Sequence, residues 1–421
     1  MPDYVIDGLK PSEVIRPASV PELSAALESA HRRKLAVVPW GGGTRMHVGN
    51  LPERYDVALD LTGLTATLVH EPGDLTLVAG AGIRVADISA VLAKSRQRLP
   101  FDVPEPERAT IGGSVASNAA GVMRSSTGAL RDWVIGMKVV MADGTVTKSG
   151  GRVVKNVQGY DMHRLHTGAF GTLGVIAEVA FKLTPIPESS TTVAACFANT
   201  EIASTAAAAI FNGYVSPEAW SLFTGEGAKS TAMRLVPLAR EFKTTHLLLA
   251  KVAGGRAAVN RQVSDLVSAA RNAGAYGVEV VDQADEARTW KDAASAPLEA
   301  VVSARLSVLP ADACKAMVDI EAATARWPAL RSWTRTDCGF GTVMAHWWAK
   351  NDEDAREAIT ASTRAATRHG GSAVIEKCPA GLKRGMDMFG DVGPSISIMR
   401  RMKAQYDPDR NLNPGRFAGG I

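Results

Sequence analysis

Glycine marks the places where this chain could do chemistry. The run PWGGGTR (39–45) has three in succession, which frees the backbone for positive φ and lets its N–H groups turn inward as an anion nest. Thr44 adds a hydroxyl donor and Arg45 a cation; a plain turn would use the same residues. The run ATIGGSVASNAAG (109–121) replaces almost every bulky side chain with a small or hydroxyl one, as backbone pressed against a ligand would require. The run GYDMHRLHTGAFGTLGVI (159–176) spaces Gly168, Gly171 and Gly174 three apart, and turns leading into a strand would explain that equally well.

Taken together in one β-rich half, the three runs suit a long ligand with a pyrophosphate and an adenosine arm. The commoner alternatives are missing. No G-x-G-x-x-G leads from a strand into a helix, and no G-x-x-x-x-G-K-[ST], H-E-x-x-H or G-x-S-x-G occurs, which removes Rossmann, P-loop, zincin and α/β-hydrolase readings. Cys196, Cys314, Cys338 and Cys378 stand too far apart for a local iron–sulfur or zinc motif and read as reduced thiols. Lys+Arg 47 against Asp+Glu 43 leaves +4 over 421 residues, too dilute to mark nucleic acid or an acidic membrane as partner. The N-terminus lacks a signal-peptide pattern and no apolar run reaches membrane-spanning length, so a cytoplasmic protein is expected, its contact with the inner membrane left to partner subunits.

The elements that must position these runs are legible. Ser19 and Glu22 have capping-box spacing ahead of Leu23, Ala26, Leu27 and Ala30, predicting a helix. Strands are predicted at 35–39, 57–61, 75–82 and 174–187, a helix over 85–94, and a hairpin over 137–150 turning at Asp143-Gly144. From about 190 to 370, strands alternate with Ala-rich helices near 201–212, 256–273, 311–325 and 352–369, an α+β pattern.

The ordered series PWGGGT, LVAGAG, PEPERATIGGSVASNAAG and GYDMHRLHTGAFGTLGVI, with the tail YDPDRNLNPGRF, resembles the vanillyl-alcohol oxidase/p-cresol methylhydroxylase family of FAD-binding proteins. Within it the ending IEKCPAGLK…NPGRFAGGI is most similar to FAD-binding subunits of bacterial glycolate oxidases. The resemblance implies a two-domain α+β fold: an FAD domain (1–187), an antiparallel-sheet cap (188–372) covering the isoalloxazine, and a segment (373–421) returning to the FAD domain. It implies FAD as cofactor, with Pro39, Gly41, Gly42, Gly43, Thr44 and Arg45 at the pyrophosphate and Pro104, Thr110, Gly112, Gly113, Ser117 and Asn118 along the flavin. Gly171, Thr172, Gly174, Val175 and Ile176 would surround adenine and ribose, and Asn413 would come back to the same domain. It further implies a small 2-hydroxy acid as substrate and a hetero-oligomer with a larger flavin subunit and an iron–sulfur subunit.

Departures from the family pattern refine the expectation. Gly43 and Thr44 stand where covalent members often carry histidine, so non-covalent FAD is expected, with His47 the one nearby imidazole. Catalytic relatives show a metal-binding H-x-G-D-G-N-L-H strand; TDCGFGTVMAHWW (336–348) keeps Gly339 and Gly341 but of the ligands only His346, too few for a divalent cation. Arg305 could anchor a substrate carboxylate or be ion-paired. His163 and His166 could share a helical face, and Trp347 and Trp348 should split between core and surface. Arg400, Arg401 and Lys403 read as a solvated face or a subunit rim.

Overall fold

In the computed structural model, residues 3–119, 121–152, 159–242, 246–294, 297 and 299–421 are described. They form two units: Met1–Gly121, Ala129–Ile186 and Lys383–Ile421 make the first, Val122–Gly128 and Pro187–Leu382 the second. The sequence placed the last boundary near 373. It falls at Lys383 instead, because strand Ser372–Lys377 pairs antiparallel with Val302–Ser307 inside the second unit's sheet.

Among its described residues the first unit holds three sheets, the smallest pairing Gln97–Arg98 antiparallel with Thr184–Pro185. A parallel one orders Glu13–Ile15, Val57–Asp60 and Val37–Trp40, and the C-terminal tail adds to it through Val37 N–H to Asn411 O (2.7 Å) and Asn413 N–H to Val37 O (2.8 Å). An antiparallel one runs Leu68–Glu71, Thr76–Gly80, Val175–Lys182, Val134–Val140, Val146–Gly150. Helix Val20–Arg32 starts where predicted: the Ser19 hydroxyl accepts from Glu22 N–H, the Glu22 carboxylate takes the Ala18 N–H, and Leu23, Leu27 and Ala30 are buried. The Asp143-Gly144 turn closes the 134–150 hairpin, with Gly144 at φ +88° and Asp143 Oδ1 accepting from Thr145 N–H. Leu59, Leu77, Ile88, Ile111, Val179 and Phe181 are among the residues of one continuous core beneath these sheets.

The second unit is one eight-stranded antiparallel sheet, ordered Gly277–Val280, Ser189–Phe197, His246–Gly254, Ala219–Gly225, Arg331–Asp337, Thr342–Trp348, Val302–Ser307, Ser372–Lys377. The four Ala-rich helices appear as Thr200–Phe211, Arg256–Asn272, Ala313–Arg326 and Asp352–Arg368, and small side chains let them lie close to the sheet. Two further helices, Glu226–Leu235 and Gln283–Ala294, escaped the sequence reading. Among the described residues no helix is long and apolar enough to cross a membrane.

Candidate functional site

The glycine-rich runs meet within the first unit, around a single cavity. Strand Val37–Trp40 delivers the 41–46 loop to one wall; the short helix Ile111–Ala116 forms another; Phe170, Gly171, Val175 and Ile176 close a third. Hydrogen bonds lock the walls together. Ile111 N–H donates to Ile83 O (2.8 Å), Gly112 N–H to Ala81 O (2.9 Å) and Phe170 N–H to Ala116 O (2.9 Å).

Glycine is needed here for three different reasons. A Cβ on Gly42 would collide with the Arg108 carbonyl oxygen, and one on Gly41 with the Thr110 hydroxyl, so both exist to let two loops touch. Gly43 (φ +73°) and Gly171 (φ +67°) take left-handed backbone that costs other residues energy. Gly113 is different: apart from Thr110 Oγ1 at 3.1 Å and Gly41 Cα at 4.0 Å, a Cβ there would meet only the cavity.

The walls offer hydrogen-bonding groups that the protein itself leaves unused. Among the described residues no protein acceptor takes the main-chain N–H of Gly42, Gly43 or Thr44. Asn413, whose Nδ2 donates to Phe170 O (2.7 Å), keeps Oδ1 buried without a partner. Arg416 Nε is likewise buried and unpartnered, and burial holds this guanidinium down to about 10. Such groups cost free energy unless a ligand completes them. A long anionic molecule with a polar edge fits them.

Of the residues singled out from sequence, Pro39, Gly41, Gly42, Gly43, Thr44, Arg45, Thr110, Gly112, Gly113, Ser117, Gly171, Val175, Ile176 and Asn413 line the cavity. Pro104, Asn118, Thr172 and Gly174 lie outside that lining. Thr172 is buried, with its hydroxyl spent on Ala169 O and its carbonyl on Lys403 Nζ. Gly174 is glycine because a Cβ would strike Val139 Cγ1 at 2.5 Å. Asn118 (φ +47°) ends the short helix through its N–H bond to Val115 O, and Pro104 sits in the turn before Glu105. Sequence reasoning missed Trp40, Met46, Leu61, Ala81, Ala116, Phe170 and Arg416 in the wall. His47 is exposed and is not part of it.

The remaining candidates resolve structurally. Arg305 Nε donates to the buried Glu376 carboxylate (3.0 Å). His346 is 2% exposed, bonds Ser303 Oγ through Nδ1 (2.9 Å), stacks on Trp333 and is driven down to about 3 by burial. Asp337 accepts from Ser221 Oγ (3.0 Å) and faces Arg335 Nε at 3.4 Å. With its histidine and aspartate so engaged, the 336–348 hairpin does not fit a divalent cation. Among the described residues no group of three His, Cys, Asp or Glu could hold a metal. His163 and His166 share a five-residue helix, and both Nδ1 atoms are buried without a partner. Trp347 is fully buried against Ser362 Oγ, while Trp348 meets Arg331. Arg400 and Arg401 are exposed, but Lys403 is 4% exposed, so it does not belong to a solvated face.

These features define a class. Residues 11–150 match the family described as FAD binding domain, and the chain superposes on p-cresol methylhydroxylase with a TM-score of 0.71 at 14% identity, over 96% of this chain and 88% of that one. Residues 11–150 carry an FAD binding domain, and the chain has the p-cresol methylhydroxylase-type fold. Its sequence is 25% identical to glycolate oxidase subunit GlcD of Bacillus subtilis (strain 168) over 97% of this chain and 89% of that protein. It is 39% identical to glycolate oxidase subunit GlcE of Escherichia coli (strain K12) over 122 residues, 29% of this chain and 35% of that subunit.

Proposed function

We propose that this chain is the FAD-binding subunit of a glycolate oxidase-type assembly. A 2-hydroxy acid such as glycolate is oxidised there to its 2-oxo acid, and the electrons leave through the flavin to a partner subunit. The observation that carries the reading is the cavity whose unpaired N–H groups, Asn413 Oδ1 and Arg416 Nε await an anionic, polar-edged ligand. Similarity to GlcD over nearly the whole chain supports the substrate class, and similarity to GlcE supports a multi-subunit setting.

Bound FAD supplies a two-electron acceptor, and the organic chemistry is the cofactor's. The chain's own residues bind and orient it. Gly42, Gly43 and Thr44 N–H groups would hold the pyrophosphate, Gly113 would let the cofactor approach the backbone, and Trp40, Met46, Leu61 and Phe170, which line the same cavity, would exclude water. Arg305 is the candidate anchor for the substrate carboxylate: its bond to Glu376 uses only Nε, leaving both Nη groups for a bidentate partner.

A second reading has an observation in its favour. Glu376 already neutralises Arg305, and the 336–348 hairpin offers no metal ligand set. In that reading the chain relays electrons while a paralogous partner oxidises the substrate. Mixing the FAD-loaded chain with glycolate under anaerobic conditions separates the two. Prompt bleaching of the flavin supports oxidation on this subunit; bleaching only after the partner is added supports relay. A flavin that stays oxidised in both mixtures overturns both.

A further inference from the structure

The loop that follows the glycines, residues 46–49, is gripped by two buried cations from the far end of the chain. Arg416 Nη2 donates to Met46 O (2.7 Å) and Val48 O (2.6 Å). Lys383 Nζ donates to His47 O (2.8 Å) and Gly49 O (3.1 Å). Four consecutive carbonyls are thus taken alternately by one cation and the other. Both side chains are almost fully buried, Lys383 at 3% and Arg416 at 2% exposure.

Their charges are not balanced. Lys383 has a carboxylate partner, Asp7 Oδ2 at 2.8 Å. Among the described residues Arg416 has no carboxylate within ion-pair distance; its hydrogen bonds go to main-chain carbonyls, and the Asp7 carboxylate, already paired with Lys383, acts on it only from further off. Two buried cations sharing the single Asp7 carboxylate are costly to the fold. Arg416 lines the FAD cavity, and its Nε is buried with no protein partner. The missing partner is therefore an anion on the cavity side.

We propose that Arg416 is the charge partner of the FAD pyrophosphate, and that Lys383 and Arg416 together set the 42–49 loop so that the N–H groups of Gly42, Gly43 and Thr44 meet the same phosphates. This rests on the FAD reading above and assigns its phosphate end to a residue more than 370 positions away from the glycine loop. Lys383 is a positioning residue, acting only through the loop carbonyls and Asp7.

The test uses the full chain stripped of flavin, with three probes measured by calorimetry: FAD, ADP (pyrophosphate without isoalloxazine) and riboflavin (isoalloxazine without pyrophosphate). Arg416→Met should weaken ADP and FAD by the same factor, at least tenfold, and leave riboflavin binding at its wild-type level. Arg416→Lys keeps the charge and can hold two carbonyls as Lys383 does, so it should recover part of the loss. It also remains informative if the Met variant does not fold. Lys383→Met should weaken ADP and FAD but by a smaller factor. The proposal is overturned if the Arg416 variant that folds binds ADP with wild-type affinity, or if riboflavin binding falls in parallel with ADP binding. Wild-type protein that binds neither FAD nor ADP would instead overturn the FAD reading itself.

Discussion

Gly42 and Gly113 distinguish a glycine required by the fold from one required by the cofactor. A Cβ on Gly42 would overlap the Arg108 carbonyl oxygen and lie 2.7 Å from its carbon and 3.3 Å from Ala109 N. All three are backbone atoms, so relief requires the two loops to separate. Overpacking of this kind costs about 1–3 kcal/mol, and each kcal/mol lowers Tm by about 2–4 °C in a unit of this size. Gly42→Ala should therefore lower the Tm of the flavin-free protein and, by spoiling the wall, weaken FAD. Gly113 sits inside the helix Ile111–Ala116 without positive φ, where alanine gains about 0.5–1 kcal/mol over glycine. Its Cβ would occupy cavity space beside Thr110 Oγ1. Gly113→Ala should leave the flavin-free Tm level or slightly higher, yet weaken FAD at least about tenfold, equivalent to about 1.4 kcal/mol. Thermal unfolding of flavin-free protein and titration with FAD, followed by quenching of flavin fluorescence, read the two quantities separately. Wild-type affinity in Gly113→Ala would refute the close approach of cofactor to this backbone, and an unchanged Tm in Gly42→Ala would refute the packing argument.

Lys403→Met removes bonds to Thr172 O, Leu412 O and the fully buried Asp407 carboxylate. Leaving that carboxylate without its cation should cost about 3–5 kcal/mol in denaturant unfolding, and a loss under 1 kcal/mol, the surface ion-pair range, would contradict the buried assignment. Burial lowers His166 to about 4 and His346 to about 3, both below the ordinary 6.5. The unfolded chain binds those protons first, so the stability they allow is present above pH 6.5 and is lost as pH falls toward the folded values. At pH 5 the loss is about 2 kcal/mol per histidine. His346→Gln should flatten the acid side of the Tm–pH profile, and an unaltered profile would show that His346 does not titrate with unfolding.

Local rules carried much of the fold. The Ser19–Glu22 cap, the Asp143-Gly144 turn and the Ala-rich helices each declare themselves within a few residues, because their causes are local hydrogen bonds and side-chain size. The order of the eight-stranded sheet did not, since pairing partners such as Ser221 and Asp337 lie 116 residues apart. In the site, the glycine runs were readable, but not the reason for each glycine. Gly174 serves packing against Val139, and Gly42 the approach of Arg108, which no spacing rule distinguishes from phosphate contact. Trp40, Met46 and Phe170 look like any core residue in sequence, although Trp40 Nε1 is anchored on the Tyr55 phenol and Phe170 packs on Phe389 and Phe417. Lys383 and Arg416 lie in segments that the resemblance covers and Lys403 in a basic cluster, but nothing local marks any of the three as buried. A lone basic residue reads as surface, and its carbonyl partners come from loops up to 370 residues away.

Absorbance of the purified chain after incubation with FAD and removal of the excess, followed by acid precipitation, tests the cavity most directly. The account predicts a yellow protein with one flavin per chain, all of it released to the supernatant by acid. A colourless protein, or colour that stays with the precipitate as covalently attached flavin, would contradict it.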